Sequence, residues 1–135
     1  MRIIIQNHLS EITRINDIID EISLPWRLPS RVSAQLSLVM DELLSNIIRY
    51  AFEDDSEHQI EINLELLGNK VVVEVVDDGI EFNPMLYPEP DLNPNLSERK
   101  IGGLGIHIIK KMTHEFTYER ENGHNIHKIC KLLDQ

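Results

Sequence analysis

Apolar positions along the chain alternate between two periods. Residues 3–5 are three successive isoleucines, a short β-branched run that predicts a strand. Ile12, Ile15, Ile18, Ile19 and Ile22 then recur at three- and four-residue spacing. That pattern predicts an amphipathic helix, with Ser10 as its N-cap. The stretch "LPWRLPS" interrupts it, because Pro25 and Pro29 break helices. Trp26, between the two prolines, reads as a packing anchor. A second helix follows, capped by Ser30 and running to about Phe52.

Beyond it the period becomes two. Ile60, Ile62, Leu64 and Leu66 alternate with Glu61, Asn63 and Glu65, the pattern of a half-buried strand. Gly68-Asn69 suits a hairpin turn, and "KVVVEVVD" suits a more deeply buried partner strand. A third helix is predicted from about Leu104 to Thr113. "FTYERENGHNIHKICKLL" reads as a last hairpin turning at Asn122-Gly123. Residues 80–101 fit neither period. They hold Pro84, Pro88, Pro90 and Pro94, and a loop of that length inside a domain points to a functional lid. Helices early and hairpin-paired strands late predict an α+β fold. The expected form is a two-layer sandwich, with a mixed, mostly antiparallel sheet and helices on one face.

Composition narrows the function classes. The 135 residues suit one domain, 1–135, and the single cysteine, Cys130, allows no internal disulfide. Cys130 is expected in the core. No apolar run is long enough for a signal peptide or a membrane span, so no membrane association and a cytoplasmic location are expected. The net charge of −10 repels phosphate backbones and argues against nucleic-acid binding. His124 and His127 lie three apart on a strand, so they face opposite sides and do not form a metal pair.

The chemistry gathers in three short motifs. On the second helix, which carries "MDELLSNIIRYAF", Leu36, Met40, Leu43 and Ile47 share the core face. Glu42, Asn46, Arg49 and Glu53 share a narrower face along its flank, and Asp41 and Ser45 are expected further out. Glu42 and Asn46 therefore stand where a pocket can open beside the core. Alone, the pair also fits an ordinary boundary stripe. In "VVDDGIEFNP", Asp77 and Asp78 end a buried strand and meet Gly79, where a carboxylate can accept from a ligand amino group and the backbone can turn close to it. In "IGGLGIHIIKKM", Gly102, Gly103 and Gly105 run into a helix, whose exposed N–H groups favour phosphate. It is neither a dinucleotide fingerprint nor a P-loop.

The order and context of the three motifs resemble the N box and the two glycine boxes of the GHKL ATPase superfamily, which has the Bergerat, or histidine-kinase-like ATPase, fold. Within it the chain most resembles the small, single-domain anti-sigma factor serine/threonine kinases. At 135 residues, the dimerising hairpin of a histidine kinase is not expected. By this resemblance Asn46 coordinates the Mg²⁺ that bridges the phosphates of ATP, and Glu42 is the general base. Asp77 accepts from the adenine amino group, and Gly79 follows it as the family glycine. Gly103 and Gly105 let backbone approach the phosphates, with amides from Gly103 through Leu104 to Ile106 available to them. Arg99 matches a lid arginine. One position departs from the pattern: Glu81 stands where the first glycine box usually has glycine. A side chain there narrows the pocket or repels phosphate unless it points outward.

The resemblance implies ATP and Mg²⁺ as cofactors. It implies phosphorylation of a small antagonist protein on serine or threonine, retention of a sigma factor, and a homodimer. A nucleotide-sensing binding module without phosphotransfer is the rival reading, and a plain ATPase subunit a third.

Overall fold

The isoleucine run forms β1 (Arg2–Gln6), followed by α1 (Glu11–Ser23) and α2 (Ser30–Tyr50). Then come β2 (Gln59–Leu67), β3 (Lys70–Asp77), α3 (Gly103–Met112), β4 (Glu115–Glu121) and β5 (His124–Leu132). The computed structural model describes residues 1–84 and 103–134. The proline-rich segment from residue 85 on, with Arg99, lies outside the described residues, so most of the expected lid does too.

The five strands form one sheet in the order β1-β2-β3-β5-β4, and all four pairings are antiparallel. Turn chemistry fixes two of them. Gly68 has φ 63°, and Asn122 and Gly123 have φ 51° and 77°, the mirror-image turn geometry that matches strand twist. Register then places one alternate set of side chains on one face. Ile3, Ile5, Ile60, Ile62, Leu64, Val71, Val73, Val75 and Ile129 are each 6% exposed or less. Against them pack Ile15, Ile19 and Ile22 of α1, and Leu36, Val39, Met40, Leu43 and Ile47 of α2. Burying each such side chain contributes roughly 1.5–3 kcal/mol, which is why the two apolar stripes hold the helices to this face. Trp26 packs at the margin of this core.

The helix starts differ from expectation. Neither Ser10 nor Ser30 makes a capping bond. Ser10 is itself helical, and the first amides of α1 are served by His8 and Leu9 carbonyls. Ser30 lies inside α2, behind Pro29, whose carbonyl accepts from Ser33 N. α1 ends before Pro25. Its end is closed by a Leu28 N to Ser23 O bond of 2.8 Å, with Arg27 at φ 55° in the left-handed position usually held by glycine. Cys130 is not in the core. Strand alternation puts Ile129 and Lys131 on the helix side and Cys130 on the opposite, partly exposed face.

Candidate active site

Glu42 and Asn46 are one turn apart on α2, and α3 begins against them. A Cβ added to Gly105 would stand 2.5 Å from Glu42 Oε2 and 3.2 Å from Asn46 Nδ2. Only glycine lets the α3 backbone come this close. Asn46 is 5% exposed, and its Nδ2 is buried without a partner. Among the described residues Glu42 has no ion pair, with Arg49 or any other cation. Asp41 and Ser45 are nearer the core than expected. Both are partly buried, Asp41 Oδ1 has no partner, and Ser45 Oγ donates to the Glu42 carbonyl at 3.2 Å. Neighbouring helices and sheet cover more of this flank than a bare helical wheel allows.

Asp77 ends β3 on the buried face, 1% exposed. Its Oδ1 accepts from Gly79 N at 2.9 Å and from Asn125 Nδ2 at 2.9 Å, while Oδ2 is buried with no partner. Burial pushes its carboxyl above the ordinary range, opposed by the two hydrogen bonds. Gly79 is tight against α2: an added Cβ would meet Ala51 Cβ at 2.8 Å, and Ile80 N donates to Ala51 O at 2.7 Å. Glu81 is exposed, whereas Phe82 beside it is 6% exposed and in the core.

The sequence reading missed what holds this loop. Asn125, opposite Asp77 in the β3–β5 register, is fully buried. Its amide donates to Asp77 Oδ1 and to Ile80 O at 2.7 Å, and its Oδ1 accepts from Phe82 N at 3.2 Å. Tyr118 Oη also donates to Asn125 Oδ1, and Arg120 Nη1 donates there at 3.0 Å and to Gly79 O at 2.7 Å. His127 Nε2 donates to Phe82 O at 3.2 Å, and burial pushes the ring down to about 4, so it stays neutral. The signal was present in the pattern: Asn125 and His127 share the parity of Ile129, so both are polar residues on a core-facing strand position.

A second fastening lies beyond the ends of β2 and β3. His58 Nδ1 is 3.0 Å from Asp78 Oδ1, its Nε2 is 2.7 Å from Asp54 Oδ1, and Phe52 stacks on the ring. It ties the α2–β2 connection to the residue beside Asp77.

Of the other expected site residues, Gly103 and Leu104 begin α3, and Ile106 is 1% exposed. The structure thus brings Glu42, Asn46 and Gly105 into contact, and joins Asp77 to Gly79 through a braced turn. Buried polar atoms without partners are rare in folded proteins. Here Asn46 Nδ2 and Asp77 Oδ2 are two of them, in two of the three motifs.

The family model described as the histidine kinase-like ATPase domain matches residues 5–131. The chain belongs to this family. Among curated relatives, the serine/threonine-protein kinase BtrW of Bordetella bronchiseptica is 28% identical over 107 residues, 79% of this chain and 75% of that one. The serine-protein kinase RsbW of Staphylococcus epidermidis is 26% identical over 68% of this chain, which spans 61% of that relative. The histidine kinase domain of the Erythrobacter litoralis EL346 blue-light activated histidine kinase has the same fold. It aligns at TM-score 0.55 and 16% identity, over 94% of this chain and 61% of that one. The Acinetobacter baumannii histidine kinase AdeS aligns at TM-score 0.53 and 13% identity, over 94% of this chain and 74% of that one. The three motifs read from the sequence lie on α2, at the end of β3 and at the start of α3. Among the described residues no helix is long and apolar enough to cross a membrane.

Proposed function

We propose that this chain is an ATP- and Mg²⁺-dependent protein serine/threonine kinase, a single domain acting in a partner-switching pathway. The observation that carries the proposal is the approach of Gly105 to Glu42 and Asn46, which joins a carboxylate, an amide and a helix N-terminus in one place. The names of the BtrW and RsbW relatives support kinase activity.

The residues present fit the two cofactors. Asp77 Oδ2, buried and unpartnered, suits the adenine amino group. The Asn46 amide, with Nδ2 unpartnered, is free to turn its oxygen toward a cation. When bound, Mg-ATP supplies the phosphoryl group and neutralises its charge. The chain's own part is to position and to move a proton. Amides at the start of α3 hold the phosphates, aided by the positive helix end. With ATP bound, Glu42 would take the proton of the serine or threonine hydroxyl whose oxygen attacks the γ-phosphorus, ADP being the leaving group. The exposure of Glu81 leaves the loop free of a packed carboxylate at the usual glycine position. By family resemblance the protein substrate is a small antagonist, and the held partner a sigma factor.

The test is transfer of labelled phosphate from ATP to a candidate antagonist protein, with Mg²⁺ present and absent. Transfer only with Mg²⁺ is expected. Mg-ATP binding without transfer to a cognate partner would make the chain a nucleotide-sensing binding module.

A further inference from the structure

We propose a second binding site, for a small phosphate-class dianion, in the depression between the start of α2 and the end of α3. The depression has a volume of about 300 Å³, and Arg31, Gln35, Lys111, Thr113, His114 and Lys131 line it. Among the described residues no carboxylate lines it, although the chain carries 23 acidic against 13 basic side chains. Three cations have gathered where the overall charge would predict at least one acid.

Lys131 carries the inference. It lies on the helix-facing side of β5, on the row of Asn125, His127 and Ile129, and is only 5% exposed. Lysines are almost never this buried unless paired. Among the described residues, no side-chain hydrogen bond or ion pair is made by Lys131, Arg31 or Lys111. Burial and the nearby Arg31 guanidinium both push the Lys131 ammonium below its ordinary range. Two like charges therefore face the same depression, an arrangement that an anion relieves.

Arg31 gives an independent sign. It sits in the first turn of α2, where helix ends favour acidic residues, and that turn contains none. The positive end of a 21-residue helix thus adds to the same field. Gln35 Oε1 is buried without a partner, so the protein alone does not satisfy this corner. Lys111 needs no ligand for its own sake, since a cation at the end of α3 is favoured by that helix. What is unusual is that all three converge. A compact dianion with several acceptor oxygens matches the set better than a single carboxylate.

The site is separate from the candidate active site. From Gly105 to Lys111 is about 9 Å of helix, and from Glu42 back to Arg31 about 16 Å. It does not depend on phosphotransfer.

The experiment is a titration of the full chain with inorganic phosphate, and separately pyrophosphate, followed by amide NMR at constant ionic strength set with chloride. Saturable shifts are expected at Arg31, Gln35, Lys111 to His114 and Lys131. Arg31→Gln, an exposed position, should weaken binding at least about fivefold, and Lys131→Met should abolish it. A stronger response to pyrophosphate than to phosphate would assign a diphosphate ligand, and the reverse a monophosphate. Shifts that never saturate, that chloride reproduces, or that fall only around Asn46 and Gly105 would overturn the proposal. So would unchanged affinity in a folded Arg31→Gln variant.

Discussion

The α3 backbone at Gly105 lies so close to Glu42 that a Cβ there would stand 2.5 Å from the carboxylate oxygen. The atom in the way is the tip of a side chain, not backbone, so the fold can yield and the carboxylate cannot stay. Gly105→Ala should therefore separate stability from activity. Alanine gains up to about 1 kcal/mol of helix propensity, so the melting temperature should hold or rise. Phosphotransfer should fall by about 10²-fold, because the proposed base is displaced. Thermal melting and a kinase assay on one preparation check both halves.

Asp77→Asn should keep the fold and weaken ATP binding. Asparagine can still accept from Gly79 N and Asn125 at Oδ1, but it presents a donor where Oδ2 now lies. Loss of a charge-assisted hydrogen bond of about 1.5–3 kcal/mol corresponds to roughly tenfold to a hundredfold in affinity. Calorimetry on the folded variant gives the number, and unchanged affinity would remove Asp77 from adenine recognition.

Asn125→Leu should do more damage than either. It leaves the buried Phe82 amide unpaired, at a cost of about 1–3 kcal/mol, and removes the Asn125 donor from the Ile80 carbonyl and from Asp77 Oδ1, which keeps only Gly79 N. Urea unfolding should show a large fall in midpoint, with nucleotide affinity lost in what remains folded.

The His58 fastening gives a pH signature. Its imidazolium is favoured first by the Asp54 hydrogen bond and also by Asp78, so its folded-state value lies above the ordinary 6.5. That contribution is complete below 6.5 and lost as pH rises through the folded value. Asp54, drawn down to about 2 by Ser56 and His58, contributes above 3.8 and loses its share as pH falls toward 2. The stability gap between the wild type and His58→Gln should thus be widest between pH 4 and 6.5 and narrow on either side. A gap that stays constant across that range would show that the clamp is not ionic.

Much of this fold was legible in the sequence, and the reason is periodicity. The isoleucines of α1 and the alternation in β2 each declare one buried face, and the Asn122-Gly123 turn sets the final hairpin. Helix caps were not legible, because Ser10 and Ser30 have the right side chains but backbone carbonyls reached the amides first. Asp41 was read as solvent-facing from one helix alone, whereas its burial comes from elements packed beside it. The site was legible as three motifs in order, each of them local. Asn125, Tyr118 and Arg120 were not, because their role exists only across the β3–β5–β4 register.

The central claim is that Glu42 acts as a base while Asn46 holds the metal. The measurement is Mg-ATP affinity and partner phosphorylation for Glu42→Ala and Asn46→Ala, side by side. Glu42→Ala should bind Mg-ATP nearly as the wild type does and lose about 10²–10⁴-fold in phosphotransfer. Asn46→Ala should lose Mg-dependent binding and transfer together. A folded Glu42→Ala variant with full kinase activity would contradict the account and leave the Glu42 carboxylate as a boundary residue of α2.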